Sequence, residues 1–258
     1  MITAERNHAA PDTGVILRAI LILWGTIATA LAVFYTFVLG GLSALTANVW
    51  GGHAVSYLGR LWGWLIVRTA GIRVDIEGLE HLAGLPSFVL VANHQSYFDI
   101  FATIAYIPGE TRFVAKKELL KVPLIGYAMD HSGHILVDRQ GGGRTIRKAL
   151  DVMRRGYNVC VFAEGTRFSD GKVHKFSDGA AWLAILTKQP CVPMGISFGA
   201  QIYPRGARIV MPWGRMKIKL GAPMATTGMR SADRVELTTR LEEAVREMVE
   251  PSSEANAT

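Results

Sequence analysis

The chain has 258 residues, half of them hydrophobic, which is enough for one large domain with a full core plus an appendage. Its 28 Lys+Arg against 21 Asp+Glu leave a net charge of +7, which suits an anionic partner: nucleic acid, an acidic membrane surface or a phosphorylated substrate. Cys160 and Cys191 both sit inside apolar runs, which argues against a disulfide or a metal pair and for buried reduced thiols.

In chain order, residues 1–14 read as a disordered N-terminus. No Asp, Glu, Lys or Arg occurs between Ala19 and Gly59, and the most apolar stretch, 16–39, is long enough to cross a bilayer as a helix. It is too long for the core of a signal peptide. Gly40 and Gly41 are expected to break it. A second stretch, 49–69, carries Trp50, Tyr57, Trp62 and Trp64 around Arg60, a pattern that predicts an arm in the headgroup zone with the arginine snorkelling to water. Arg6 and Arg18 on one flank and Arg60, Arg68 and Arg73 on the other favour a re-entrant hairpin over a single crossing. Residues 15–70 are therefore predicted to be a membrane-associated two-helix segment.

Residues 71–250 are predicted to form the body and 251–258 a disordered tail. Strand patterns fall at 72–78, 87–92, 111–115, 134–137, 157–162, 191–198 and 216–220. Helical patterns lie between them, at 100–106, around 126–129, after the three glycines 141–143, at 179–187 and at 231–250. For the last helix, Ser231 is the expected N-cap, and Val235, Leu241, Val245 and Met248 are the expected buried face. The alternation argues an α/β fold.

The chemistry begins at Asn93-His94-Gln95-Ser96-Tyr97-Phe98-Asp99, where a buried strand opens into polar residues at a sheet edge. If Ser96 caps a helix, Asp99 lies within reach of one ring nitrogen of His94 and leaves the other free as a base. Taken alone, this pair admits a general base, a metal ligand or a structural histidine. His131 and His134 come without an H-E-x-x-H or cysteine-rich pattern, so no metal is expected. The arginine-rich helix after Gly143 comes without any RNA-binding, zinc-finger or helix-turn-helix pattern, so no nucleic acid is expected. Gly195-Ile196-Ser197-Phe198-Gly199 fits G-x-S-x-G, but no strand–turn–helix is expected there and no histidine follows His174.

Over about residues 72–225 the sequence resembles the 1-acylglycerol-3-phosphate O-acyltransferases of the glycerolipid acyltransferase superfamily, in four blocks that occur in the right order. The first is the His94–Asp99 block, matching N-H-x-S-x-x-D. The second is Phe113-Val114-Ala115-Lys116-Lys117-Glu118-Leu119, continuing through Pro123 and Gly126 to Asp138-Arg139. The third, Val161-Phe162-Ala163-Glu164-Gly165-Thr166-Arg167, is similar to F-P-E-G-T-R, and the fourth is Val192-Pro193-Met194. Ala163 replaces a proline, which is expected to loosen the turn before Glu164. Ser177 stands where a basic residue usually follows the phenylalanine, and Lys175 offers that charge nearby.

The resemblance implies a mixed sheet flanked by helices, with His94 as general base and Asp99 as its orienter. It further implies that Lys116, Arg139, Glu164, Gly165, Thr166 and Arg167 bind the acceptor, arginine holding phosphate bidentately. Oxyanion donors would come from Lys116 or from backbone N–H groups after His94. No cofactor or metal is implied. The donor would be acyl-CoA or acyl carrier protein, and the acceptor the sn-2 hydroxyl of lysophosphatidic acid. The expected location is the inner membrane with the site facing the cytoplasm. Another lysolipid acceptor, such as a lyso-ornithine lipid, keeps the same chemistry. A noncatalytic lipid-binding membrane protein is disfavoured by the joint presence of His94, Asp99, Glu164 and Arg167.

Overall fold

The computed structural model describes residues 13–122, 125–137 and 142–250. The expectations for the two termini and for Arg139 lie outside these residues. Helical backbone runs through α1, Thr13–Thr69, without interruption at Gly40 and Gly41, contrary to the break expected there. At 1.5 Å per residue a straight rod would place Trp24 and Thr69 about 68 Å apart. Instead Trp24 Nε1–H donates to the Thr69 carbonyl at 3.0 Å and Trp62 Nε1–H to Thr36 Oγ1 at 2.9 Å. The rod therefore folds back on itself between Thr36 and Trp62. Its first arm, Gly14–Thr46, is long and apolar enough to cross a bilayer and is exposed over much of its length, with Gly25, Ala28 and Ser43 buried.

The second arm packs on the body. Ile66 and Val67 enter the core, and Trp62 meets Phe101 edge to face. Arg60 finds two partners on the body. Its guanidinium donates to the carbonyls of Ile107, at 2.9 Å, and Gly109, at 2.6 Å. These lie just past α2, Tyr97–Tyr106, whose C-terminal dipole end attracts a cation.

The seven predicted strands are β1 (Arg73–Glu77), β2 (Val89–Ala92), β3 (Thr111–Lys116), β4 (Ile135–Val137), β5 (Asn158–Phe162), β6 (Cys191–Ser197) and β7 (Arg215–Leu220). They form one sheet in the order β1-β7-β6-β2-β5-β3-β4, in which only the β6–β7 pair is antiparallel. In central β2, Leu90 and Ala92 face the second arm of α1 and α2, while Val89 and Val91 face the other layer. That layer holds α4 (Gly142–Arg154), α5 (Gly179–Thr187) and α7 (Arg234–Met248), while α3 (Ile125–His131) packs against α1. Both cysteines are free and buried.

In α7 the buried stripe is Leu237, Leu241 and Val245, at i, i+4 and i+8; Val235 points to solvent instead of into the predicted face. Ser231 opens a short 3-10 turn that precedes the helix. The carboxylate accepting a backbone N–H there is that of Asp233, from Arg230 at 2.6 Å.

Strand direction fixes two edges. The C-terminal ends of β2, β5, β3 and β6 share one edge with the starts of β1 and β7, and the opposite edge carries the starts of β2, β5 and β3.

Candidate active site

β2 delivers Asn93 and His94 to the first edge. Asn93, fully buried, bonds across to β6 through its amide, donating to the Ile196 carbonyl at 2.9 Å and accepting the Ile196 N–H at 2.8 Å. The side chain thus imitates one more rung of a ladder and fixes the exit of the strand. Ser96 then starts α2, its Oγ accepting the Phe98 N–H at 3.2 Å.

Asp99 occupies the third helical position, where a carboxylate can reach back to the N-cap. Its Oδ2 accepts the N–H of Gln95 at 2.6 Å and of Ser96 at 2.8 Å, and lies 2.7 Å from His94 Nδ1. The His94 side chain is 12% exposed and the Asp99 side chain 0%. Nδ1 therefore carries the proton toward the carboxylate, and Nε2, which has no partner among the described residues, keeps its lone pair. The imidazole lies flat on Phe162 of β5, with ring centroids 4.0 Å apart. Helix cap, orienting carboxylate and stacking floor together hold the ring in one pose.

Gly199, at the start of the short α6 (Gly199–Ile202), closes the back of the pair. A methyl group there would stand 2.5 Å from Asp99 Oδ1.

Past β5 the chain turns through Gly165, whose φ of +68° suits glycine. Glu164 accepts two backbone N–H groups, from His94 at 2.7 Å and from His174 at 2.8 Å, one on each oxygen. Burial raises its pKa above the usual carboxylate range, against the lowering pull of those two donors. The carboxylate stitches its loop to the His94 strand and has further lone-pair sites left over. Arg167 lays its guanidinium over the Tyr97 ring at 3.7 Å, which parks a cation at the start of α2. Phe168 N–H donates to the His94 carbonyl at 2.9 Å.

Ala163 does not loosen this turn. Its N–H donates to the Ala92 carbonyl at 2.9 Å, a bond proline could not make, and its carbonyl accepts from Ser177 N–H and Oγ.

The structure thus brings His94, Asp99, Glu164, Gly165, Thr166 and Arg167 together. Exposed Lys116 ends β3 at the same edge, two strands from β2, so about 10 Å away along the sheet. Three contributors lacked an assigned role at the sequence level: Tyr97 under the arginine, Phe162 under the histidine and Asn93 behind both. Each stands inside a motif block. Of the backbone donors considered for an oxyanion, the N–H groups of Gln95, Ser96, Phe98 and Asp99 are already engaged.

Ser197 is followed by a turn at Phe198, φ 68°, and the short α6, so a strand–turn–helix does exist where none was expected. Ser197 itself is buried in β6 and its Oγ accepts the Glu250 N–H at 2.9 Å, so it cannot act as an exposed nucleophile. His131 and His134 turn to backbone partners, the Tyr127 carbonyl and the Phe113 N–H.

A cavity of about 470 Å³ lies at the opposite edge, between the hairpin and the start of β3, and is lined in part by Ser43, Val55, Trp62, Glu110 and Arg112. His53 and Glu110 pair there at 2.6 Å.

Residues 73–197 match the family model described as Acyltransferase. The chain is 31% identical over 167 residues to 1-acyl-sn-glycerol-3-phosphate acyltransferase alpha of Mus musculus, covering 63% of this chain and 59% of that protein. It is 29% identical over 205 residues to 1-acyl-sn-glycerol-3-phosphate acyltransferase of Limnanthes alba, covering 73% and 72%. Its fold is similar to a solved structure of the 1-acyl-sn-glycerophosphate (LPA) acyltransferase, PlsC, from Thermotoga maritima, with TM-score 0.76, 26% identity, and coverage of 90% and 95%. The chain spans about three fifths of the length of the mammalian relatives it matches.

Proposed function

We propose that the chain, whose residues 73–197 match the Acyltransferase family model, is an acyltransferase of that family, and that it moves a fatty acyl group from acyl-CoA or acyl carrier protein to the sn-2 hydroxyl of 1-acylglycerol-3-phosphate, forming phosphatidic acid. The observation that carries this is the His94–Asp99 pair, with Nδ1 bonded to an immobile carboxylate and Nε2 unpartnered at an open sheet edge.

In this reading Nε2 takes the proton of the acceptor hydroxyl as its oxygen attacks the thioester carbonyl. A C–O bond forms, the C–S bond breaks, and the leaving thiolate recovers the proton from His94. The thioester is already activated, so the chain's own residues suffice for the step. A positioned base of this kind is worth about 10²- to 10⁴-fold. Asp99 steadies the imidazolium that forms in between. Lys116 is the remaining side-chain candidate for the developing oxyanion.

Arg167 binds the acceptor phosphate, preorganised by its shelf on Tyr97, with Arg139 and Lys116 adding charge and Thr166 a hydroxyl. Glu164 and Gly165 shape the loop that presents them. The hairpin associates with the inner membrane, with the site on the cytoplasmic side, so a single-chain lipid need not be drawn wholly into water.

Purified protein assayed with both acyl donors against a panel of lysolipids should favour lysophosphatidic acid. Arg167→Ala should raise its KM with little change in kcat. Preference for a zwitterionic lysolipid would overturn the phosphate assignment, and absence of turnover with every donor and acceptor would overturn the enzyme.

A further inference from the structure

The segment 204–214, between α6 and β7, belongs to no motif block. Because β7 starts at the His94 edge, this segment lies along that edge beside the point where the hairpin enters the body. Three of its apolar side chains face solvent: Ile209 at 38%, Met211 at 54% and Trp213 at 50% exposure. Arg205 and Arg208, just before them in the chain, are exposed as well, and no acidic residue occurs from Tyr203 to Arg215. We propose that this segment is a second membrane contact, which seats the rim of the His94 site on the surface of an anionic bilayer beside the first arm of the hairpin.

Continuity with the hairpin is the main argument. Trp213 stacks on Trp24 with ring centroids 5.9 Å apart, and its N–H donates to the Ala70 carbonyl at 2.9 Å. Val210 N–H donates to Thr29 Oγ1 at 3.1 Å. The approach is close enough that a methyl group on Gly25 would stand 2.2 Å from the Val210 carbonyl oxygen. The first arm continues N-terminally past this level as exposed Val15, Ile16, Leu17, Ile20, Ile22 and Leu23. Any bilayer that covers those residues reaches the 204–214 segment at the height of Trp24.

Side-chain chemistry fits that height. Indoles and arginines are favoured in the headgroup zone, with methionine and isoleucine just beneath it. Trp213 holds φ of 56°, a conformation uncommon for a bulky residue, which keeps its ring beside Trp24 at the surface. The segment is also tied to the site. Arg205 N–H donates to Ser169 Oγ at 2.8 Å, one residue from Phe168, whose N–H bonds the His94 carbonyl.

The inference rests on the membrane-associated reading above and is tested without turnover. Cys160 and Cys191 are buried, so an engineered cysteine can be labelled selectively with an environment-sensitive fluorophore. Full-length Met211→Cys, Leu23→Cys and Glu80→Cys proteins would be reconstituted in phosphatidylcholine vesicles with and without phosphatidylglycerol. The labels at 211 and 23 should shift to the blue and escape an aqueous quencher, while the label at 80, at the opposite edge, stays quenched. A label at 211 as quenchable as that at 80, or shielded only after another protein is added, would overturn the proposal. In Arg205→Gln/Arg208→Gln the shielding at 211 should weaken most in the anionic vesicles; no change there overturns the charge argument. Ile209→Ser/Met211→Ser should raise the apparent KM for acceptor in vesicles severalfold and leave turnover in detergent micelles unchanged. Equal loss in both would count against a membrane role. Lack of acyl transfer by the wild type would sink the proposed function while the labels still decide this one.

Discussion

Both edges of the sheet hold an imidazole against a carboxylate at nearly the same separation, 2.7 Å for His94 and Asp99 and 2.6 Å for His53 and Glu110. The surroundings differ. Asp99 is fully buried and held by two backbone N–H groups besides the ring, whereas the His53 side chain is 68% exposed and Glu110 shares its charge with Arg112 at 2.9 Å. The far nitrogen of His94 is left unpartnered, while that of His53 lies 3.5 Å from the Tyr157 hydroxyl. Arg112, stacked on Tyr157 at 3.9 Å, belongs to the packing of its own edge; Arg167, on partly exposed Tyr97, stands at the open one. Separation alone therefore does not mark a base. What sets the His94 pair apart is a fully buried carboxylate and a ring nitrogen without a partner among the described residues.

The sharpest way to break this contrast is to delete each ring. His94→Ala should lower acyl transfer by about 10²- to 10⁴-fold while membrane association persists, and His53→Ala should leave the rate unchanged. Comparable losses would abolish the distinction. Next come the carboxylates. Asp99→Asn leaves backbone donors and the imidazole facing an amide, and should cost about 10²-fold or more in kcat as well as lowering the melting temperature. Glu110→Gln should lower the melting temperature alone, since it leaves buried Arg112 without its counter-charge. Gly199→Ala comes third. It forces Asp99 aside without touching substrate and should reduce kcat by up to about 10²-fold, a displacement of under an ångström being enough.

The smallest effect concerns acid stability at the far edge. Burial, with Arg112 and Lys148 nearby, pushes the His134 pKa down to about 3. The unfolded chain, near 6.5, binds the proton first, so the contribution of His134 is whole above pH 6.5 and is lost as pH falls below it. His134→Gln should flatten this limb of a melting-temperature profile in detergent. An unchanged slope would place the acid sensitivity elsewhere.

The strands were legible because apolar runs of fixed length lie between polar loops, and the His94 block because a capped helix must place residue 99 opposite residue 94. The partners of Arg60 were not legible because nothing local says that the Ile107 and Gly109 carbonyls will wait beside it. Val235 misled for a related reason: three residues an i+4 step apart define the stripe of α7, and Leu237 completes it where Val235 cannot. The N–H of Ala163 counts only once Ala92 is known to face it. Each miss depends on a contact between segments distant in sequence.

The double duty of Asp99 limits how this chain can be remodelled. One oxygen both caps the start of the helix and aims the ring, so the interval from His94 to Asp99 behaves as a single gauge length. Inserting or deleting one residue there would rotate the carboxylate about 100° around the helix and forfeit both tasks together. Composition within the interval can drift while its count cannot. Libraries aimed at new acceptors are better spent on the walls, at Tyr97 and Arg167, than on the spacing.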